Sequence, residues 1–166
     1  MITFNQIRLH LNKQKPETKF EGRLLSLDPG ETTGCCLFST DPEDAVLSYA
    51  NQIKTWPLEV GVVNLANLLS ELKPDKVVFE SYQVYEWKTD DHSWSQIPTV
   101  QIIGCIKTLC IQFDIPYTTQ TAQVAKGFCT DEKLKQWGFY QVGLKHARDA
   151  IRHGCYYLLF GNKKET

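Results

Sequence analysis

The chain has 166 residues, 42% of them hydrophobic and 22% charged, with a formal net charge of −1. This composition is typical of one soluble globular domain, and the near-neutral charge by itself gives no indication of nucleic-acid binding. No apolar run reaches the roughly 18 residues of a membrane span, and the N-terminus lacks the pattern of a signal peptide. We therefore expect an intracellular, cytoplasmic protein with no membrane partner.

The charge is unevenly distributed along the chain. Residues 41–120 carry five basic and eleven acidic groups, whereas residues 121–166 carry eight basic and four acidic groups. This asymmetry permits a basic contact surface near the C-terminus, although a solvated helix face would produce the same pattern.

The six cysteines show neither a Cys-x-x-Cys pair nor zinc-finger spacing. Cys35 and Cys36 are adjacent within an apolar run, which is typical of small buried core residues. We expect most of the six to be reduced and buried, as in an intracellular protein.

The first third of the chain predicts a hairpin-rich start. Residues 1–20 are polar with weak apolar periodicity and predict a short helix or an arm. Residues 23–28 form an apolar run that ends on an acid, which is a strand pattern. Pro29-Gly30 interrupts it, and residues 34–38 resume as a second strand, so the two predict a hairpin. Residues 45–53 predict a third strand.

The middle third alternates between helix and strand. Residues 58–72 have apolar side chains at helical spacing, and Lys73-Pro74 ends that helix. Residues 76–80 are a short β-branched run that again ends on an acid, typical of a buried strand. Residues 81–96 predict a loop rich in aromatic and polar groups, followed by a helix over 97–113.

The last third predicts one more strand and a long final helix. Residues 115–118 are the strand, and Thr121 and Thr130 are candidate caps of two short helices. Residues 145–159 predict a helix that ends at Gly161.

This order of elements predicts an α/β fold. Three hairpin-connected strands followed by alternating helices and strands imply a mixed sheet of about five strands, the first three antiparallel, flanked by helices. We expect a single domain over residues 21–166, preceded by an N-terminal extension over 1–20.

Four side chains in this pattern are candidates for chemistry. Asp28 and Glu80 each end an apolar strand, where an acid is costly unless a partner offsets its charge. His146, Asp149 and His153 share one face of the final helix. Three carboxylates and an imidazole suit one or two Mg²⁺ or Mn²⁺ ions, which could support phosphodiester hydrolysis. Taken singly, however, either strand-end acid is as well explained by a cap or a turn.

Three segments carrying these residues resemble the RuvC-like Holliday junction resolvases of the ribonuclease H-like superfamily. They are LDPGETTG at 27–34, VVFESY at 77–82 and HARDA at 146–150. Residues 92–95 and 126–134 are also similar to phage-encoded members. The match covers about residues 23–160, in the same order and on the same kinds of element.

The resemblance implies a ribonuclease H-like fold and a nuclease that cuts branched DNA such as four-way junctions, forks or flaps. It implies Asp28, Glu80, His146 and Asp149 as catalytic metal ligands, with two Mg²⁺ (or Mn²⁺) ions per site. It also implies a homodimer acting in recombination, repair or phage DNA processing, in the host cytoplasm if the chain is phage-encoded.

Further residues are candidates for DNA contact. Aromatic side chains directly after Glu80 could stack on unpaired bases at a branch point, and basic side chains around the final helix could hold phosphates. Loop packing and a solvated helix face are the alternatives. The candidates are Tyr82, Tyr85, Trp87, Lys88, Lys126, Lys145, Arg148 and Arg152.

Two other classes of function compete with a nuclease. The turn at 28–34 also resembles the phosphate-binding turn of actin-like ATPases and sugar kinases, but those enzymes need two lobes and a second phosphate turn. A non-catalytic branched-DNA-binding module is the other alternative, yet such a module gains nothing from carboxylates that face phosphate.

Overall fold

A mixed sheet forms the centre of the protein in a computed structural model that describes residues 1–82 and 97–161. The strands are β1 (Gly22–Asp28), β2 (Thr32–Thr40), β3 (Ala45–Lys54), β4 (Lys76–Glu80) and β5 (Tyr117–Gln120). The helices are α1 (Phe4–Gln14), α2 (Leu58–Leu72), α3 (Ile97–Gln112), α4 (Ala122–Phe128), α5 (Asp131–Trp137) and α6 (Lys145–Phe160), with a 3₁₀ turn at Pro16–Thr18.

The sheet has the strand order β3-β2-β1-β4-β5. Strands β1, β2 and β3 are antiparallel neighbours, whereas β4 runs parallel to β1 and β5 parallel to β4. The predicted α/β fold, with a mixed sheet whose first three strands are antiparallel, is therefore confirmed.

The pairing register brings strand ends together at one edge. Leu27 pairs with Phe79 across β1 and β4, and Glu80 pairs with Gln120 across β4 and β5. Because parallel strands end at the same edge of a sheet, Asp28, Glu80 and Gln120 become neighbours there.

Helices cover both faces of the sheet, which explains the uninterrupted apolar runs of its central strands. Successive β1 residues alternate between two cores: Leu24 belongs to the cluster that includes α6, and Leu25 belongs to the cluster under α2 and α3. On the α6 side the polar Ser26 is also buried, and its hydroxyl donates to the backbone oxygen of Ala150 at 2.6 Å.

The N-terminal segment is a helix that packs onto the domain. Thr3 and Gln6 form a reciprocal capping box at the start of α1. Phe4 is 2% exposed and its ring contacts Trp137 and Phe139 edge-on. Residues 1–20 thus contribute an apolar anchor to the core, while their separation as an extension from a domain over 21–166 stays a prediction.

Both ends of β5 differ from the predicted ones, and β2 extends beyond the predicted 34–38 at each end. Strand β5 begins two residues later than expected, because the amide of Ile115 donates to Cys110 and still belongs to the end of α3. It also extends to the polar Gln120, which an apolar pattern cannot identify as strand. Thr130 caps α5 through Lys133 N as predicted, whereas the Thr121 side chain makes no capping bond to α4.

Two predictions about the whole chain can be compared with the structure only within the described residues. Of the predicted loop at 81–96, residues 83–96 lie outside the described residues. Within the described ranges, no helix combines the length and the apolar character needed to cross a membrane.

The cysteines are free thiols, and all but the half-buried Cys105 are buried. Burial raises the pKa of Cys35 and Cys110 to about 11 and that of Cys129 to about 12. Since the thiolate is the reactive form, these thiols should be inert in the native state.

We therefore predict that a thiol reagent at pH 8 labels at most one cysteine of the native protein, Cys105, and all six after denaturation. Absorbance of the released thiolate from a disulfide reagent measures this count, and Cys105→Ser is the control that should abolish native labelling. Rapid native labelling of two or more thiols would contradict the burial described above.

Candidate active site

The four predicted site residues lie at the edge where β1 and β4 end. Asp28 is 8% exposed at the end of β1, and Glu80 ends β4. His146 and Asp149 lie in the first two turns of α6, which crosses this edge. The imidazole Nδ1 of His146 lies 3.2 Å from Asp28 Oδ2, so helix and strand residues meet directly.

A close backbone approach places the start of α6. Gly34 on β2 has no side chain, and a Cβ built there would lie 1.9 Å from the backbone oxygen of His146. The amide of His146 donates to Gln52 Oε1 on β3 at 2.8 Å. The glycine that ends the 27–34 segment is thus required because the backbone of the helix passes over it.

Lys126 on α4 lies between two of the acids. Its ammonium is 3.1 Å from Glu80 Oε2 and 3.5 Å from Asp149 Oδ2. Asp149 also pairs with Arg152, which in turn pairs with Asp131 and donates to the backbone oxygen of Cys129. The carboxylates of this edge are therefore balanced by cations of the same chain.

The acids differ in how their environment shifts their pKa. Burial and then the negative charge of Glu80 raise the pKa of Asp28, with smaller opposing effects of Lys126 and the His146 hydrogen bond. Burial alone would raise the pKa of Glu80, but the hydrogen bond to His153 and the charge of Lys126 outweigh it, and the pKa is lowered. The charges of Glu80 and Asp149 outweigh the burial of Lys126 and raise its pKa.

The donor set suits a hard divalent cation. Among residues 1–82 and 97–161, no three carboxylate, imidazole or thiol side chains already converge as a formed metal cluster. Burial, and then the negative charges of Glu80 and Asp149, nevertheless raise the pKa of Asp28. Carboxylate oxygens with one imidazole are ligands that Mg²⁺ and Mn²⁺ accept, and a cation among them would relieve that repulsion.

The predicted DNA-contact residues on α6 differ in whether their side chains already bind other groups of the protein. Lys145 is exposed at the first position of the helix. Arg148 donates to the backbone oxygen of Gln141 at 2.8 Å and lies over the Tyr140 ring. Arg152 is engaged with Asp149, so in this structure it orients that acid, and phosphate contact by these residues stays a prediction.

The predicted contact residues near β4 are only partly described. Tyr82 is half-buried and packs against the cluster beneath α2 and α3. Tyr85, Trp87 and Lys88 lie outside the described residues. Lys126 contacts Glu80 and Asp149, and its contact with DNA stays a prediction.

The sequence did not predict that His153 and Gln120 are neighbours of Glu80. His153 lies on the same helix face as His146, as its spacing predicts, and its Nε2 is 3.1 Å from Glu80 Oε2. Its Nδ1 is 3.0 Å from Gln120 Oε1. The only available signal for Gln120 was a polar residue just beyond an apolar strand, at the same edge as Asp28 and Glu80.

Comparisons with known proteins identify the fold. No protein-family model matches the chain, and no curated protein matches it. Among solved structures, T. thermophilus RuvC in complex with a Holliday junction substrate is similar, with a TM-score of 0.63 and 15% identity over 81% of this chain and 91% of that one.

Two further resolvase structures are similar. The fowlpox virus Holliday junction resolvase has a TM-score of 0.57 and 16% identity over 82% of this chain and 96% of its own. The yeast mitochondrial Holliday junction resolvase Ydc2 has a TM-score of 0.54 and 10% identity over 94% and 91%. The chain therefore has the ribonuclease H-like fold of the RuvC-type resolvases, and identity this low carries the likeness no further than the fold.

We predict that Gly34→Ala destabilises the protein by about 1–3 kcal/mol, because the added methyl group overlaps the backbone of His146 and must displace α6. Chemical denaturation measures the loss. Gly104→Ala makes the same change on α3, where nothing lies within 4 Å of the new methyl, and it should not destabilise. Equal stability of the two variants would contradict the close approach.

We also predict that Asp28→Asn raises the melting temperature in EDTA by roughly 2–4 °C, equivalent to about 1 kcal/mol, because it removes a repelled buried charge. A carboxyl whose pKa is raised by folding disfavours the native state once it ionises, so the gain should shrink as pH falls towards the ordinary value of 3.8.

Differential scanning fluorimetry measures this shift, with Asp114→Asn, an exposed acid in the turn before β5, as the matched control. Added Mn²⁺ should stabilise the wild type but not Asp28→Asn, since only a protein that binds the ion gains from it. A lower melting temperature for Asp28→Asn in EDTA would show that Asp28 is not repelled.

Proposed function

We propose that this protein is a divalent-metal-dependent endonuclease that cleaves branched DNA. The observation that carries the proposal is the convergence of Asp28, Glu80, His146 and Asp149 at the strand-end edge of a RuvC-type fold. The segments that contribute these residues are far apart in sequence, and a purely structural role would not require three acids to repel one another in one place.

In this proposal Asp28, Glu80, Asp149 and His146 are the ligands of two Mg²⁺ or Mn²⁺ ions. Bound there, such ions supply an activated water and stabilise the leaving oxygen of a phosphodiester. Asp28 contacts the helix residue His146 and is affected by the charges of Glu80 and Asp149, so it would be a ligand that both ions could share. Its contact with His146 orients the imidazole, whose side chain is 44% exposed and so accessible to solvent and substrate.

Lys126 has a role before and after metal binding. Its ammonium offsets the charges of Glu80 and Asp149. If these carboxylates held a metal, the flexible Lys126 side chain could pair with a substrate phosphate at the same edge. Exposed Lys145 at the start of α6 extends this basic surface.

Two of the fold neighbours support the proposed substrate class. The T. thermophilus and fowlpox virus proteins were solved with Holliday junction DNA. We propose four-way junctions as the preferred substrate, with forks and flaps as related ones, and a homodimer with one site for each of two arms. A role in recombination, repair or phage DNA processing, in the cytoplasm, fits this substrate.

We predict that the purified protein cleaves a labelled four-way junction in Mg²⁺ or Mn²⁺ and not in EDTA, and that it cleaves matched linear DNA far less. Asp28→Asn should lose cleavage by at least about 100-fold while still binding the junction, since phosphate contacts lie outside the carboxylates. Gel assays of cleavage and of binding in Ca²⁺ or EDTA measure the two properties, with Asp114→Asn as the control.

Several outcomes would contradict the proposal. Undiminished cleavage by Asp28→Asn would show that the active site lies elsewhere. Metal-independent junction binding without cleavage of any branched DNA would indicate a binding module. Hydrolysis of ATP without nuclease activity would indicate that the turn after β1 holds a nucleotide phosphate instead.

A further inference from the structure

His153 links two polar side chains from neighbouring strands within the core. It is fully buried on α6, with Nε2 at 3.1 Å from Glu80 Oε2 and Nδ1 at 3.0 Å from the amide of Gln120. The register of β4 and β5 pairs Glu80 directly with Gln120. One imidazole therefore spans the ends of both strands.

The partners of His153 are unusual for a core histidine. A buried imidazole must be hydrogen-bonded, but a backbone carbonyl satisfies that need at the lowest cost. Here both ring nitrogens face side chains, and one of these is a carboxylate proposed to bind metal. Keeping an acid, an imidazole and an amide together at the edge of a core is costly without a function that uses their arrangement.

The chemistry of these three side chains determines which atom donates and which accepts in each hydrogen bond. Ionised Glu80 is an acceptor only, so Nε2 must carry the proton. The Nδ1 of a neutral ring is then an acceptor and needs a donor. With Gln120 Oε1 facing Nδ1, both nitrogens would need protons, and Gln120 Nε2 is left buried without a partner. Half a turn of the amide brings its NH₂ to Nδ1 and supplies that donor, with Oε1 then in the buried position.

The bonds to Glu80 are also one-sided. His153 and Lys126 both contact Oε2. Among the described residues, none forms a hydrogen bond or ion pair with Oε1, so this oxygen is available to bind a ligand. An imidazole that donates to one carboxylate oxygen restrains the rotation of the whole group, in the way that outer groups orient metal ligands.

We propose that Gln120 and His153 form a positioning pair that sets the carboxylate of Glu80 for single-oxygen metal binding through Oε1. Glu80 accepts the proton on Nε2 of His153, Gln120 anchors the ring at Nδ1, and His153 in turn holds Oε2. This inference rests on the metal centre of the proposed function but is independent of the DNA substrate.

The test is the affinity for Mn²⁺ alone, measured by isothermal titration calorimetry on the full chain without DNA. His153→Leu removes the donor to Glu80 and should weaken binding by about 10-fold or more, the usual effect of losing an outer partner. Gln120→Leu removes the amide that orients the ring and should weaken binding in the same direction. His153→Gln, whose amide nitrogen can replace Nε2, should stay within about threefold of the wild type.

Two controls separate positioning from a general loss of stability. Cys155→Ala truncates a buried neighbour on the same helix that does not contact Glu80, and it should bind Mn²⁺ like the wild type even if its melting temperature falls. In a Glu80→Gln background, removing His153 should cause no further loss of affinity, since its effect acts through Glu80.

Each outcome either supports or overturns the positioning role of Gln120 and His153. Wild-type Mn²⁺ affinity in folded His153→Leu would overturn the positioning role. If that variant does not fold, unchanged affinity in Gln120→Leu would overturn it. A wild type that binds no Mn²⁺ would overturn it together with the metal centre. Weakened Mn²⁺ binding in a protein that cuts no branched DNA would support it and reject only the proposed substrate.

Discussion

The contact between the backbones of β2 and α6 at Gly34 determines the geometry of the candidate site. A helix normally lies farther from a sheet because its side chains and those of the sheet intervene. Here glycine on the strand lets the helix backbone descend, and the bonds from His146 N to Gln52 and from Ser26 to the backbone of Ala150 hold it there. The side chains of the first two turns of α6 consequently reach the strand ends.

This arrangement concentrates negative charge in a partly buried place. Asp28 ionises less readily than an ordinary aspartate, and the fold offsets the remaining charge with Lys126 and Arg152. The two cations differ in their attachment. Arg152 pairs with Asp131 on α5 and donates to the backbone before that helix, which makes it a fixed support. Among the described residues, the ammonium of Lys126 contacts only the acids, so another cation could replace it.

The sheet explains why such a site lies at this edge. Helices cover both of its faces, so the central strands are mostly apolar, and charged groups lie where the strands end. Asp28, Glu80 and Gln120 occupy those ends on three strands that run in the same direction. The helix α6 then adds imidazoles and a third carboxylate. Their helical spacing places them on one face of α6.

The sequence by itself determined the elements and the identity of the acids. Alternating and helical spacing located the strands and the final helix, since local periodicity reflects burial on one face. The run of 23–28 and that of 76–80 each end on a carboxylate, and the spacing of His146 and Asp149 places them on one helix face. These features depend only on residues that are close along the chain.

Only the tertiary structure decided which groups meet. The placement of Lys126 between Glu80 and Asp149, and the link from Gln120 through His153 to Glu80, depend on how α4, α6 and β5 dock. A shift of one residue in strand register turns side chains to the opposite face, and no local pattern reports that register for segments more than 30 residues apart. Long-range packing therefore decided which side chains form hydrogen bonds with each other. A hydrogen bond requires two atoms to be close in space, and spacing along the chain does not determine that distance.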